Sequence, residues 1–114
     1  MLLKYKKADG TEATVRLKTI SHAMPVTIGR DKSANVVLDD PKVSRINAAI
    51  RYWDDIFIIR DMTSSNGTWV NDAKIEVAKL NPGDVIKVGN TELRVEAELS
   101  RSDVTAVIKE PPQG

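Results

Sequence analysis

Arginines, short hydroxyl side chains and glycine come together at three places in the chain. They are Gly29-Arg30, Ser44-Arg45-Ile46-Asn47 and the run Thr63-Ser64-Ser65-Asn66-Gly67-Thr68-Trp69-Val70-Asn71. Hydroxyls, amides and backbone N–H groups at a turn can surround an anion. The planar guanidinium forks of Arg30 and Arg45 can supply the charge and match a phosphate through paired bonds. Each motif also has a plainer reading. Arg30 can pair with Asp31 or Asp39, Ser44 can bond its own backbone, and Asn66-Gly67 favours a turn by itself. The density of hydroxyls in the third run argues for a ligand. There Ser65 is expected to contact the ligand and Asn66 to bond an extended peptide backbone, while Thr68 and Asn71 pin the loop.

The elements that must carry these loops read as strands, because the apolar residues recur with a period of two. Leu2–Lys6 and Ala13–Lys18 form a pair over the turn Ala8-Asp9-Gly10-Thr11. Pro25–Gly29 and Asn35–Leu38 follow, the first with Gly29 allowing a sharp turn and the second closed by Asp39-Asp40-Pro41. Ala48–Trp53 and Ile56–Arg60 form a hairpin across Asp54-Asp55, and Trp69–Asn71 with Lys74-Ile75 a small one over Asp72-Ala73. Asp84–Val88 and Thr91–Ala97 meet across Gly89-Asn90, where both residues tolerate a positive φ. Leu80–Asp84, with Pro82-Gly83, reads as an architectural turn. No helix is convincing. The expectation is an all-β protein, an antiparallel β-sandwich of ten to eleven short strands with the ligand site in the loops at one end.

At 114 residues the chain fits one domain with a single core. Its 17 basic and 16 acidic residues nearly cancel, which argues against a nucleic-acid or membrane-surface binder. Any anion recognition must be local. The absence of cysteine excludes disulfides, thiol catalysis and Cys-based zinc sites. No apolar run approaches the roughly 20 residues of a membrane span, and Met1-Leu2-Leu3-Lys4 lacks the apolar stretch of a signal peptide. A cytoplasmic location is expected. Residues 1–99 are read as the domain and 100–114 as a flexible tail or linker.

The order and spacing of the blocks carry more than any one of them. Gly29-Arg30, then Ser44-Arg45-x-Asn47-Ala48, then Asp61-x-x-Ser64-Ser65-Asn66-Gly67-Thr68-Trp69-Val70-Asn71, and later Leu80-x-x-Gly83-Asp84-x-Ile86-x-x-Gly89 resemble a forkhead-associated domain over roughly Val26–Val95. Such domains are phospho-motif readers that use arginine clusters. The resemblance implies binding of phosphothreonine peptides by loops at one end of the sandwich. It places Arg30 and Ser44 on the phosphate with Ser65 helping, Arg45 on the phosphate or peptide, and Asn66 on the peptide main chain. Lys42 falls where such domains influence the residue three after the phosphothreonine, which implies an acidic preference there. The family usually has histidine at the position of Asn47, bracing the loops from beneath. Asparagine both donates and accepts but is shorter than the ring.

Phosphothreonine-dependent binding to substrates of Ser/Thr kinases is therefore the leading expectation. The alternative is a phosphate-independent interaction or assembly domain using the exposed sheet surface, which the departure at Asn47 keeps open. An enzyme ranks third, since no triad, metal-ligand set or phosphate-cleaving base is visible, and no cofactor is expected. His22 lacks a second ligand of suitable spacing for a metal role. Asp39-Asp40 and Asp54-Asp55 read as solvated turn charges, and Trp53, Phe57 and Trp69 as core or rim packing. Thr105, in Asp103–Ile108, offers a phosphorylatable threonine for self-docking of the tail, against the simpler reading of an edge strand or linker.

Overall fold

The computed structural model describes residues 1–20 and 24–98; the expectations for His22, for Thr105 and for the tail lie outside them. Eleven strands and no helix make up the described residues. They are β1 (Leu2–Lys6), β2 (Glu12–Arg16), β3 (Val26–Gly29), β4 (Val36–Val37), β5 (Ala48–Trp53), β6 (Ile56–Asp61), β7 (Thr68–Val70), β8 (Ala73–Lys74), β9 (Val77–Leu80), β10 (Val85–Val88) and β11 (Thr91–Glu96).

They pair into a six-stranded sheet, β2-β1-β11-β10-β7-β8, and a five-stranded sheet, β4-β3-β5-β6-β9. Alternation decides which side chains the two sheets trap between them. In β1, Leu3 and Tyr5 point inward, as do Ile28 in β3, Ile50 in β5, Phe57 and Ile59 in β6, and Leu93 and Val95 in β11. Removing a large aliphatic or aromatic side chain of this kind from water is worth about 1.5–3 kcal/mol. Phe57 joins the core, against Tyr52 at a ring separation of 4.8 Å. Trp69 is half-buried, while Trp53 is 48% exposed and lies on the outer face of the five-stranded sheet.

Every strand pair is antiparallel except β3 with β4. The reversal there has a local cause. Asn35 Oδ1 accepts the Thr27 N–H at 2.9 Å and the Asn35 N–H donates to Thr27 Oγ1 at 3.0 Å, so the chain doubles back beside the start of β3 before setting off again. Only two residues, Val36 and Val37, then form β4, shorter than the strand expected over Asn35–Leu38.

Two further differences are instructive. Val77–Leu80 is a strand, β9, paired only with β6. Its composition, with alanine and lysine at the centre, has weak strand propensity, and exposed lysine is typical of an edge. The β7–β8 turn lies one residue earlier than expected: Val70 pairs with Ala73, and Asn71 and Asp72 hold φ values of 50° and 68°. Asparagine and aspartate tolerate that left-handed region better than alanine does, so the two-residue turn settles on them.

Candidate functional site

Gly29 sets the spacing of the site. A Cβ built there would lie 2.0 Å from the carbonyl oxygen of Arg45, so only glycine lets β3 and the 44–46 loop meet. Its φ is not positive. The sharp-turn role expected of Gly29 is thus replaced by close approach of two backbones. The β3–β5 ladder then continues beyond the strands. The Arg30 N–H donates to the Ser44 carbonyl at 3.0 Å, the Asp31 N–H to the Arg45 carbonyl at 3.0 Å, and the Asn47 N–H to the Ile28 carbonyl at 2.8 Å.

That ladder makes Arg30 and Ser44 neighbours across adjacent strands' extensions. Arg30 is exposed, and its Nε donates to the Val43 carbonyl at 3.0 Å, which aims the guanidinium and leaves both Nη groups for another acceptor. Ser44 Oγ accepts the Ser65 N–H at 2.9 Å, while the hydroxyl proton remains available. Asn66 Nδ2 donates to the Lys42 carbonyl at 2.9 Å. Arg30, Lys42, Ser44, Ser65 and Asn66 are therefore gathered at one end of the sandwich from three loops. Arg45, 79% exposed, places Nη2 3.8 Å from Asp31 Oδ1. The Ser33 hydroxyl and N–H hold the Asp31 carboxyl below its ordinary pKa; a little burial opposes them, and the charges of Arg45 and Arg30 assist.

Asn47 lies beneath these loops with no exposed surface and joins them. Its Oδ1 accepts the Ser44 N–H at 3.0 Å, and its Nδ2 donates to the Gly67 carbonyl at 3.1 Å and to Thr68 Oγ1 at 3.0 Å. The Asn47 carbonyl also accepts the Met62 N–H at 2.9 Å. The side chain is short, but the continued β3–β5 ladder brings both loops within its reach. A buried amide with both ends bonded rigidifies its surroundings.

From Thr68 the network runs to Asp61, whose part in the loop was not anticipated. The Thr68 hydroxyl donates to Asp61 Oδ1 at 2.7 Å, the Ser64 hydroxyl to the same oxygen at 2.5 Å, and the Ser64 N–H to Asp61 Oδ2 at 3.1 Å. Ser64 Oγ in turn accepts the Gly67 N–H at 2.9 Å. Burial disfavours the Asp61 carboxylate, but these donors, with the charge of Lys74, outweigh it and hold the carboxyl below its ordinary pKa. They also hold Thr63 at a φ of 57°, where a β-branched residue is strained by roughly 1–2 kcal/mol. Gly67, at φ 94°, closes the loop under the Trp69 ring.

Two expectations need correcting. Asp40 is not a solvated turn charge: it is 6% exposed and accepts the N–H groups of Lys42 at 3.0 Å and Asn90 at 2.7 Å and the Thr91 hydroxyl at 2.8 Å. Burial again opposes its ionisation, and the bonds from Lys42, Thr91 and Asn90 prevail, keeping its pKa low. Its carboxylate ties the Lys42–Ser44 loop to the β10–β11 turn. Asn71, by contrast, does not pin the 63–67 loop. Its Nδ2 donates to Asp84 Oδ1 and its Oδ1 accepts the Val85 N–H, both at 2.9 Å, at the opposite end of β7. Among the described residues no group of three or more histidine, cysteine, aspartate or glutamate side chains is placed to hold a metal ion.

Comparison with known proteins supports the same reading. The FHA domain family model matches residues 26–89, which contain all three loops and the Asn47–Asp61 network. The chain belongs to the FHA domain family. It is 37% identical over 87 residues to FhaA, an FHA domain-containing protein of Mycobacterium tuberculosis, spanning 76% of this chain and 16% of that protein. Most of the relative thus lies outside the similarity. Its FHA domain, solved in complex with the intracellular domain of Rv3910, superposes with a TM-score of 0.70 at 32% identity, covering 82% of this chain and 96% of that one. An FHA domain solved in a study of phosphothreonine-dependent interactions gives a TM-score of 0.72 at 30% identity, covering 87% and 97%. No helix among the described residues is long and apolar enough to cross a membrane.

Proposed function

We propose that this FHA domain binds phosphothreonine-containing segments of proteins modified by Ser/Thr kinases, and so mediates phosphorylation-dependent association in signalling. One observation carries the reading. The Arg30 guanidinium, steered by its bond to the Val43 carbonyl, and the Ser44 hydroxyl, held by the Ser65 N–H, face the same end of the sandwich with donor capacity left over. A phosphate dianion there gains charge-assisted bonds from Arg30, Ser44 and Ser65, each worth roughly 1.5–3 kcal/mol when well formed. Arg45 adds charge at the rim. Desolvation and ordering of the peptide offset much of this, so micromolar affinity is expected.

Asn66 keeps its Oδ1 for a peptide N–H while its Nδ2 holds Lys42. Lys42, exposed on the next loop, favours an acidic residue three positions after the phosphothreonine. Two similar FHA domains support this reading: one was solved with a partner protein's intracellular domain, and the other belongs to a study of phosphothreonine-dependent FHA domain interactions.

The test is calorimetry with matched phosphorylated and unphosphorylated threonine peptides drawn from an oriented library. Phosphorylated peptide should bind at micromolar Kd and the unphosphorylated one at least about a hundredfold more weakly, the loss of two charge-assisted bonds. Arg30→Ala should shrink the difference by at least about tenfold, the value of one charge-assisted bond. Equal binding of the two peptides, or unchanged affinity in Arg30→Ala, would overturn the assignment in favour of a phosphate-independent role.

A further inference from the structure

The outer faces of the two sheets differ in a way the phosphate site does not require. On the six-stranded sheet, charges of both signs pair across strands: Lys4 with Glu96 at 3.1 Å, Arg94 with Glu12 and with Glu96, and Arg16 with Glu98 at 2.8 Å. That surface carries both signs of charge side by side, Lys87 opposite Glu92 included. On the five-stranded sheet the outward register positions bring Arg51 opposite Ile58, Ala49 opposite Arg60, Val77 beside Arg60 and Lys79 beside Ile58. Arg51, Arg60 and Lys79 are exposed, and among the described residues none of them takes part in an ion pair. No outward strand position here carries a carboxylate; Asp54, Asp55 and Glu76 lie in the connections at its margins.

Between the cations lies apolar surface. Trp53 is 48% exposed, Met62 43% and Val77 46%, and a shallow groove is lined by Pro25, Ala49, Trp53, Ile58 and Met62 with the two arginines. Large apolar side chains in a contiguous patch rimmed by charge mark interaction surfaces. The patch is continuous with the ligand end. Met62 directly precedes Thr63, and the six-residue step from Ile56 to Met62 spans about 20 Å at strand rise.

Resting on the phosphothreonine reading above, we infer that the outer face of β5, β6 and β9 docks a second segment of the same phosphorylated partner, acidic and studded with apolar residues. Charge complementarity selects the occupant. A second copy of this chain is disfavoured, since a two-fold contact through this face would bring its cations against the same set of cations on the other copy. An acidic segment instead neutralises all three cations while its apolar side chains cover Trp53, Ile58 and Met62. Linked to the phosphothreonine, it binds at high effective concentration, so a weak contact still adds affinity.

Three synthetic peptides test this by calorimetry. One is a phosphothreonine core. The second joins that core through a short glycine-serine spacer to a segment alternating glutamate with leucine, and the third has lysine in place of that glutamate. The glutamate peptide should bind about tenfold tighter than the core, and the lysine peptide no tighter. In the Arg51→Glu/Arg60→Glu double variant the gain should vanish while the core peptide stays within about twofold, and Ile58→Ser should reduce the gain with charge intact. Amide resonances of Ala49, Ile58 and Val77 should shift only with the glutamate peptide. Equal affinities for core and glutamate peptide, or a gain that survives charge reversal, would overturn the proposal. If the core peptide fails to bind yet the glutamate peptide still shifts Ile58 and Val77, the phosphate reading fails and the docking surface stands.

Discussion

At the Arg30 end of the sandwich the loops are long and are stitched together by side chains, whereas at the far end two hairpins close through two residues each. Asp54-Asp55 and Asn71-Asp72 turn with all four φ values positive, between 50° and 68°. That end has one side-chain clamp of note, from Asn71 to Asp84 and Val85. The Arg30 end instead relies on Asn47, Asp61, Thr68, Ser64 and Asp40, which satisfy loop N–H and carbonyl groups the sheets leave unpaired. A tight turn is cheap because few residues are ordered. A loop that must present several donors to a ligand is longer, costs more entropy, and needs buried polar anchors to stay in one shape.

The strongest test of this contrast is Asn47→Ala. It strands the Ser44 N–H and the Gly67 carbonyl beneath the loops and takes one donor from the Thr68 hydroxyl, which keeps its own bond to Asp61. Each such group costs about 1–3 kcal/mol unless water reaches it. A loss of about 3 kcal/mol in urea unfolding is expected, together with at least tenfold weaker phosphopeptide binding. Full stability would show that Asn47 is not the anchor. Next in size is Ser44→Ala, which removes the proposed phosphate donor and the acceptor of the Ser65 N–H but no core contact. Affinity should fall about tenfold, the value of one such bond, with Tm nearly unchanged. Parallel losses of stability and affinity would mean the two roles cannot be separated at this end.

Protonation probes the anchors without mutation. Asp40 and Asp61 have folded pKa values below their unfolded ones, so the stability they add is complete above the ordinary aspartate value of about 4 and is lost as pH falls through their depressed folded values. Urea midpoints should hold from pH 7 to 5 and drop below about pH 4. Affinity should behave differently. The ligand's phosphate passes from dianion to monoanion near pH 6, and Asn47, unlike an imidazole at that position, does not titrate. Binding should weaken severalfold between pH 7.5 and 5 while the urea midpoint stays flat. A midpoint that falls together with affinity would place a titrating anchor in the site.

Much of the ligand end was legible in the sequence because its chemistry is compressed into short runs: the hydroxyls of 63–68, the serine-arginine pair at 44–45, the arginine at 30. What escaped depends on contacts distant in sequence. Gly29 looks like a turn residue until Arg45 is seen beside it, 16 positions away. Asp40 looks solvated because its partners Asn90 and Thr91 lie 50 and 51 residues on. Asn71 sits within the polar run but, on a strand running away from the ligand, its side chain reaches Asp84 instead. The adequacy of Asn47 was equally hidden. Its reach depends on how closely the backbone brings the loops together, which a residue type does not state. β9 was missed for the complementary reason: an edge strand of Val77, Ala78, Lys79 and Leu80 takes its conformation from β6, not from its own propensity.

The smallest expected effect lies at the far end and tests whether the two ends are independent. Asp55 holds a φ of 65° at the second position of its two-residue turn, where glycine carries no steric penalty and Asp-Gly is a favoured pair. Asp55→Gly relieves that strain and the repulsion from Asp54. It also deletes the exposed bond in which the Tyr52 hydroxyl donates to Asp55 Oδ1 at 3.1 Å. An exposed bond is worth little against the backbone term, so a net gain of about 0.5 kcal/mol and a rise in Tm of about 2 °C are expected. Phosphopeptide affinity should remain within twofold, because the turn lies at the end of β5 and β6 opposite to Ser44 and Arg30. A shift in affinity beyond that, with the gain in stability intact, would show that β5 and β6 transmit the far turn to the ligand loops, and the two ends would then have to be treated as one cooperative unit.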